Sequence, residues 1–545
     1  FTTYDIRRAR TGLSLAAEWR PQEGSRVYLQ GLYSLFTEDE YRQRYRLDFG
    51  ALRFNPDGTT ATFSGGERRQ DLRLEQKDKS LLNLTLGGEH RFGAWKADGL
   101  LAWGLNELDE PNEVWLFRSG GQPGGAISGA VDFGPLLYSV TPTVDAPPSA
   151  LEFRQLTIQQ NKAEETILTA ALNLQRSIGW GDEGSFVKVG LRLRDAEKIQ
   201  DNNQPRYDRG TTANRFTLAS AGLAGRPTAT RLDGRTYPNP VTIDAGLMRA
   251  FTDGALGSPR IVFNPTVTAS AAIGSDWTVE ERVSAAYAMA SLEFGKWTVL
   301  GGLRAEHTET SVATKLPTAG GLANDGSYTS WRPGLHVRYE TDNDVVARLA
   351  VTRTLGRPAY GQLTPAASIN VQPATPVISR GDPSLEPYLS TNIDLAADWY
   401  FARGGVLGVG IFHKDISDYI FTATERARNV TFQGVTYPEV VLSQPANASS
   451  ATVTGLELNY QQQFRFLPAP FDGFGVGATV TLTDSEVDVP GRGKLALPRQ
   501  SDLVWGLQLF YQGYGFEGSI SYQDTSEYLD TVAAILSEGA RFCET

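Results

Sequence analysis

A chain of 545 residues with 56 glycines, 10% aromatic residues and 21% charged residues is too ordinary in charge to be disordered, and its composition suits strands and turns. The formal charge of −11 argues against a phosphate-backbone binder, so nucleic acid is not expected as a partner. A single cysteine, Cys543, excludes an intrachain disulfide framework and any multi-cysteine metal site.

In chain order, GLSLAAEWRP and RVYLQGLYSLF flank the short turn QEGS, a hairpin signal, and a long polar stretch follows from about Tyr41 to Lys79. SLLNLTLGGEHRF and KADGLLAWGLN then meet at a tight turn around Gly93 to Trp95, with a Gly- and Pro-rich connection to about Ala163. TILTAALNLQRSI and SFVKVGLRLRD pair across WGDEG; in the latter, Val187, Val189, Leu191 and Leu193 alternate with Lys188, Gly190, Arg192 and Arg194. The longest connection runs roughly from Ala196 to Thr278, a length that in a compact domain marks a functional loop.

The alternation resumes in VSAAYAMASLEF and WTVLGGLRAEHTET, then in SWRPGLHVRYE and VVARLAVTRT across TDND. STNIDLAADWYF turns through ARGG into VLGVGIFHKDI, VTGLELNYQQQF is joined by LPAPFDG to FGVGATVTLTDS, and DLVWGLQLFYQ passes GYG into FEGSISYQD. These segments make eight hairpins and about sixteen strands.

No apolar run reaches the roughly 18 residues of a membrane helix, so a membrane crossing would have to be by β-barrel, where every second residue need be apolar. All the tight turns fall at one end of the strands and all the long loops at the other, as in membrane barrels. Trp19, Trp95, Trp180, Trp297 and Trp399 lie beside the tight turns, where indoles form an interfacial girdle. Leu84, Leu191, Leu395 and Leu458 are expected to face lipid, and Thr85, Arg192, Asp394 and Asn459 the lumen.

Between Thr352 and Phe401 a strand runs into GRPAYGQLTPAASIN and a Pro-rich span, and is answered by Gly381, Asp382, Pro383, Ser384, Leu385, Glu386 and Pro387 before a descending strand. This order and spacing resemble the C-terminal half of a TonB-dependent outer-membrane receptor. The resemblance covers nearly the whole chain, residues 1–545, but the barrel part of the family alone. It implies an all-β, transmembrane antiparallel β-barrel, with about sixteen of 22 expected strands, long extracellular loops and short periplasmic turns. It also implies a monomer in the outer membrane of a Gram-negative bacterium that imports a scarce solute, of oligosaccharide or ferric siderophore type, when the TonB-ExbB-ExbD complex acts on a plug domain. The plug and its TonB box are not seen here, and the strand arithmetic places three wall strands outside each end of the sequence. Inward charges such as Lys188, Arg194 and Asp398 are then expected to lack partners. A secreted or soluble all-β carbohydrate-binding or hydrolytic protein and a passive porin are the alternatives.

Enzymatic chemistry has no signature. His90, His307, His336 and His413 are dispersed without metal-ligand spacing, GGQPGG lacks the Lys-Ser or Lys-Thr of a phosphate loop, and neither GxSxG nor HExxH occurs. The carboxylates Glu38, Asp39 and Glu40, or Glu107, Asp109 and Glu110, read as solvated rim charge. No cofactor, metal or catalytic residue is expected. The long loops carry the residues suited to capturing a solute: Trp115, Phe117 and Arg118; Arg206, Tyr207 and Arg209; Arg357 and Tyr360. Aromatic rings stack on sugar or catecholate rings, and guanidinium groups grip anions.

Overall fold

A computed structural model describes residues 2–531 and 541–543, apart from 135–138, 233–234, 274, 315–323, 371–374, 433–434, 449 and 490–492. Sixteen long strands form one wall. The first eight are β1 (Thr2–Trp19), β2 (Ser25–Asp48), β3 (Thr60–Phe92), β4 (Trp95–Arg118), β5 (Glu152–Ser177), β6 (Phe186–Asn203), β7 (Trp277–Phe294) and β8 (Trp297–Thr314). The second eight are β9 (Asn324–Glu340), β10 (Val345–Gly356), β11 (Tyr388–Ala402), β12 (Gly405–Ser417), β13 (Ser450–Gln463), β14 (Phe474–Val489), β15 (Leu503–Gly513) and β16 (Phe516–Thr525). Each pairs antiparallel with the next in sequence. Among the described residues β1 and β16 each have one wall neighbour, so the described sheet is open between them.

Register turns the alternation into two faces. Leu172 stands opposite Leu191, Leu191 opposite Ala286, and Ala286 opposite Ala305; further on, Leu349, Leu395, Val409 and Leu458 continue the same belt. These side chains are bare: Leu191 is 60% exposed, Leu395 53%, Leu84 43% and Leu458 38%. The five tryptophans beside the tight turns are exposed as well, from 36% at Trp95 to 74% at Trp180, and so are not core residues. A continuous exposed apolar belt is stable in contact with lipid, not with water.

The opposite face is polar, and several of its charges are paired within the wall. Lys188 reaches Asp98 at 3.5 Å, Arg194 reaches Glu281 at 2.5 Å, and Arg348 holds Asp398. The expectation that Lys188, Arg194 and Asp398 lack partners is therefore corrected. Lys188 and Asp98 meet across an intervening strand, and the other two pairs join successive strands across long connections, so a hairpin-by-hairpin scan does not see them.

A second correction concerns height. The polar stretch from Tyr41 to Lys79 is strand: β2 runs to Asp48 and β3 is 33 residues long. At about 3.3 Å per residue, β3 spans roughly 110 Å along its path, far beyond the belt. In this upper storey the outward parity continues but its cover changes. Gln70, Leu72 and Trp115 are fully buried beneath the chain's own connections. The segments 119–151 and 204–276 supply that cover, through Leu151, Phe216, Leu218, Leu223, Ile243 and Met248.

Candidate functional site

Two of the six ligand candidates, Trp115 and Tyr207, lie in this outer cover, whereas Arg118 and Arg206 occupy strand positions of the opposite parity. Trp115 has no exposed surface, and its Nε1 donates to Thr252 Oγ1 at 2.9 Å on the helix α1 (Ala245–Ala255). Gln43 clasps the Ile243 backbone on both sides, donating to its oxygen at 2.6 Å and accepting from its nitrogen at 3.2 Å. Arg118 donates to Glu67 at 2.8 Å, Arg206 to Asp208 at 2.8 Å, and Tyr207 packs on Phe263 with ring centres 5.5 Å apart. Phe117 is buried against Phe153, and Arg209 pairs with Glu152. Trp115 and Arg209 tie a connection to the wall, Arg118 joins two wall strands, and the indole of Trp115 has no surface to offer a solute.

Arg357 and Tyr360 lie on the other side of the wall. The residues after β10 turn inward, and Leu363 and Leu385 pack on Val279 of β7 and Val312 of β8, which stand directly opposite one another on the inward face. The two halves of the sequence motif meet there. Gly381 N donates to Thr364 O at 2.9 Å and Asp382 N to Gln362 O at 2.7 Å. A Cβ on Gly381 would meet those carbonyl oxygens at 2.3 and 2.5 Å, so the close approach requires glycine. Asp382 Oδ1 accepts from Ser384 N at 2.9 Å and from its hydroxyl at 2.6 Å, which shapes the turn that delivers Leu385 to the core. At the strand end Gly356 faces Tyr388, whose ring lies 2.0 Å from where a Cβ would be. Asn447 braces the turn from the next long loop, accepting from Glu386 N at 3.0 Å and donating to Glu386 O at 2.9 Å.

Docked in this way, the loop presents Arg357 and Tyr360 to two inward carboxylates. Glu306, 4% exposed, accepts from Arg304 at 2.8 Å and also from Arg332 and Arg357. Arg304 and Arg332 are directly opposed in register, a repulsive arrangement that Glu306 neutralises. Glu281, 5% exposed, accepts from Arg194 at 2.5 Å and from the Tyr360 hydroxyl at 3.2 Å, and Arg357 Nε lies 3.6 Å away. Burial, followed by the charge of Glu281, pushes the Tyr360 phenol up, so it remains a neutral donor. Between this loop and the wall is an open cavity of about 600 Å³, lined by Arg194, Lys198, Trp277, Glu281, Arg357 and Tyr360 among others.

Glu281, Glu306, Arg304 and Arg332 were not among the sequence candidates. Parity alone puts each inward; their convergence with Arg357 depends on register across four strands. A further carboxylate group, Glu38, Glu40 and Glu75, has the spacing of a metal site among the described residues. Its own cations occupy it: Arg8 pairs with Glu38, Arg73 with Glu40 and Glu75, and Lys77 with Glu75 at 3.2 Å. The dispersed histidines pair with hydroxyls instead, His90 with Ser25 at 2.6 Å, His307 with Thr329 at 2.9 Å and His413 with Thr454 at 2.8 Å.

No curated protein matches the sequence. Among solved structures, the ferric citrate transporter FecA is 14% identical, with 96% of this chain covering 66% of that one at a TM-score of 0.43. The ferric enterobactin receptor PfeA from Pseudomonas aeruginosa is 13% identical, with 96% and 68% covered and a TM-score of 0.42. P. aeruginosa FpvA bound to pyoverdines is 13% identical, with 99% and 63% covered and a TM-score of 0.48. The chain spans about two thirds of the length of these solved chains. The model of the family described as TonB dependent receptor-like, beta-barrel matches residues 18–537, nearly the whole wall and its loops. With a sixteen-stranded wall that is bare and apolar on one face and charged on the other, and with that match along its length, the chain belongs to the TonB-dependent receptor β-barrel family.

Proposed function

We propose that the chain forms the wall and external loops of a Gram-negative outer-membrane receptor that imports a scarce solute at the expense of work delivered by the TonB-ExbB-ExbD complex. The observation that carries this is the two-faced wall within the matched family: an apolar belt suited to lipid, backed by a polar face onto which the loop of residues 357–387 folds. Here the Arg357 side chain bridges two strands through Glu281 and Glu306, and Leu363 and Leu385 are buried beneath it. The solute path is proposed to run along this inward face, past Arg357 and Tyr360, while Trp115 and Tyr207 hold the outer loop layer in place.

The test is expression of the whole receptor in its native host and in a strain lacking TonB. The protein should fractionate with the outer membrane, and uptake of the solute that supports growth should require TonB. Recovery of the protein in the soluble fraction, or uptake that continues unchanged without TonB, would refute the proposal in favour of a secreted carbohydrate-active protein or a porin respectively.

A further inference from the structure

We infer that the cavity between β6, β7 and residues 357–361 binds a small organic anion bearing a flat aromatic ring. The inference deepens the import proposal and rests on it for the route by which the anion arrives. Three cations line the space: Arg194, Lys198 and Arg357. Arg304 and Arg332 stand behind them, and the facing carboxylates are Glu281, Glu306 and Glu165, the last opposite Lys198 in register. Five cations against three carboxylates leave a local positive excess in a chain whose net charge is −11.

The acids present do not exhaust the donors. Each guanidinium offers five N–H groups, whereas Arg357 is shared between Glu281 and Glu306 and its buried Nε has no hydrogen-bond partner. Lys198 makes no ion pair among the described residues although it lines the cavity. Buried cationic donors with spare N–H groups beside an open space are the arrangement that an entering carboxylate or phosphate satisfies, through charge-assisted hydrogen bonds.

The rest of the lining sets the shape of the guest. Trp277 and Tyr360 both line the space and pack with the apolar cluster of Val279, Val312, Leu363 and Leu385, so the lining offers aromatic rings as well as cations. The volume of about 600 Å³ is ample for a ring carrying one acidic group. A neutral sugar could stack on the indole but would leave the cations unanswered. The site therefore prefers the anion.

The experiment uses the whole receptor purified in detergent, with binding followed by calorimetry for phenyl phosphate, inorganic phosphate and neutral phenyl glucoside. Phenyl phosphate should bind, more weakly as salt rises, and at least about 10-fold more tightly than either of the other two. Lys198→Gln, which breaks no ion pair, should weaken phenyl phosphate about 10-fold or more, and Lys198→Arg should restore most of it. Trp277→Leu should remove the advantage of phenyl phosphate over inorganic phosphate. Unchanged affinity in Lys198→Gln, or equal binding of the glucoside, overturns the inference. Uptake assayed separately with and without TonB distinguishes the two proposals: binding without TonB-dependent uptake sinks the import proposal alone, and TonB-dependent uptake without anion binding sinks this one alone.

Discussion

Replacing Trp115 with alanine tests whether the outer loop layer is an independent packing unit. The indole is fully buried among Leu72, Phe117, Leu156 and Met248, and it spends its one N–H on Thr252 of α1. Truncating a buried Trp costs about 3 to 5 kcal/mol. Thr252 loses a donor but still bonds Met248 O at 2.8 Å, so little is added for an orphaned hydroxyl. If that cost falls on local opening of the layer, amide exchange in residues 245–255 should accelerate at least about 100-fold, since each 1.4 kcal/mol is about tenfold. Hydrogen exchange by mass spectrometry on the detergent-purified protein would read this, with β7 and β8 as internal controls that should keep their protection. Trp115→Phe, which retains the ring, should recover most of the loss. Unchanged exchange in α1, or equal loosening of β7 and β8, would refute the assignment of Trp115 to loop packing.

Gly381→Ala should detach the inward loop, because the new methyl meets two carbonyl oxygens at 2.3 and 2.5 Å; limited proteolysis within residues 357–387 should rise while the apolar belt persists. Leu191→Arg should impair assembly by about 2 to 4 kcal/mol near the membrane midplane, whereas Arg192→Leu should be mild, and heat-modifiable migration on gels would show which is so. Above the belt, burial pushes the Glu110 carboxyl up, but Lys77 and Asn161 outweigh it and hold the pKa below the ordinary 4.5. Its contribution is thus complete above about pH 4.5 and is lost as pH falls through the lowered value. Protease sensitivity of β4 and β5 should rise from pH 5.5 to pH 3.5, and that rise should be smaller in Glu110→Gln.

Strand number, strand order and facing were legible from period two alone, since Leu191 and Arg192 cannot share a side in any strand register. The upper storey was not. Alternation of Leu against Asn in β3 gives way to Gln70, Arg68 and Glu67, and nothing local distinguishes a polar strand roofed by a loop from a polar loop. Arg68 makes the point: it is 1% exposed because Asp145 and Asn239, from two different connections, close over it. The site was half legible. Arg357 and Tyr360 stood out by motif and residue type, but Glu281 and Glu306 gain meaning from lateral register, which no single hairpin encodes. Trp115 and Tyr207 were ambiguous for a related reason: an aromatic residue beside a long loop suits a solute or a core equally well, and the helix at 245–255 that covers Trp115 lies over a hundred residues from it.

Two of the long loop systems lie largely on opposite sides of a sheet one strand thick. Residues 216–261 coat the outside above the lipid, residues 357–370 and 375–387 enter the inside, and the helix at 265–273 touches the inward loop at residues 367–370. Insertions, deletions or drift in the coat therefore need not disturb the inward face, and changes on the inward face need not alter the outer surface. The wall thus lets its two faces vary largely through different stretches of the same chain.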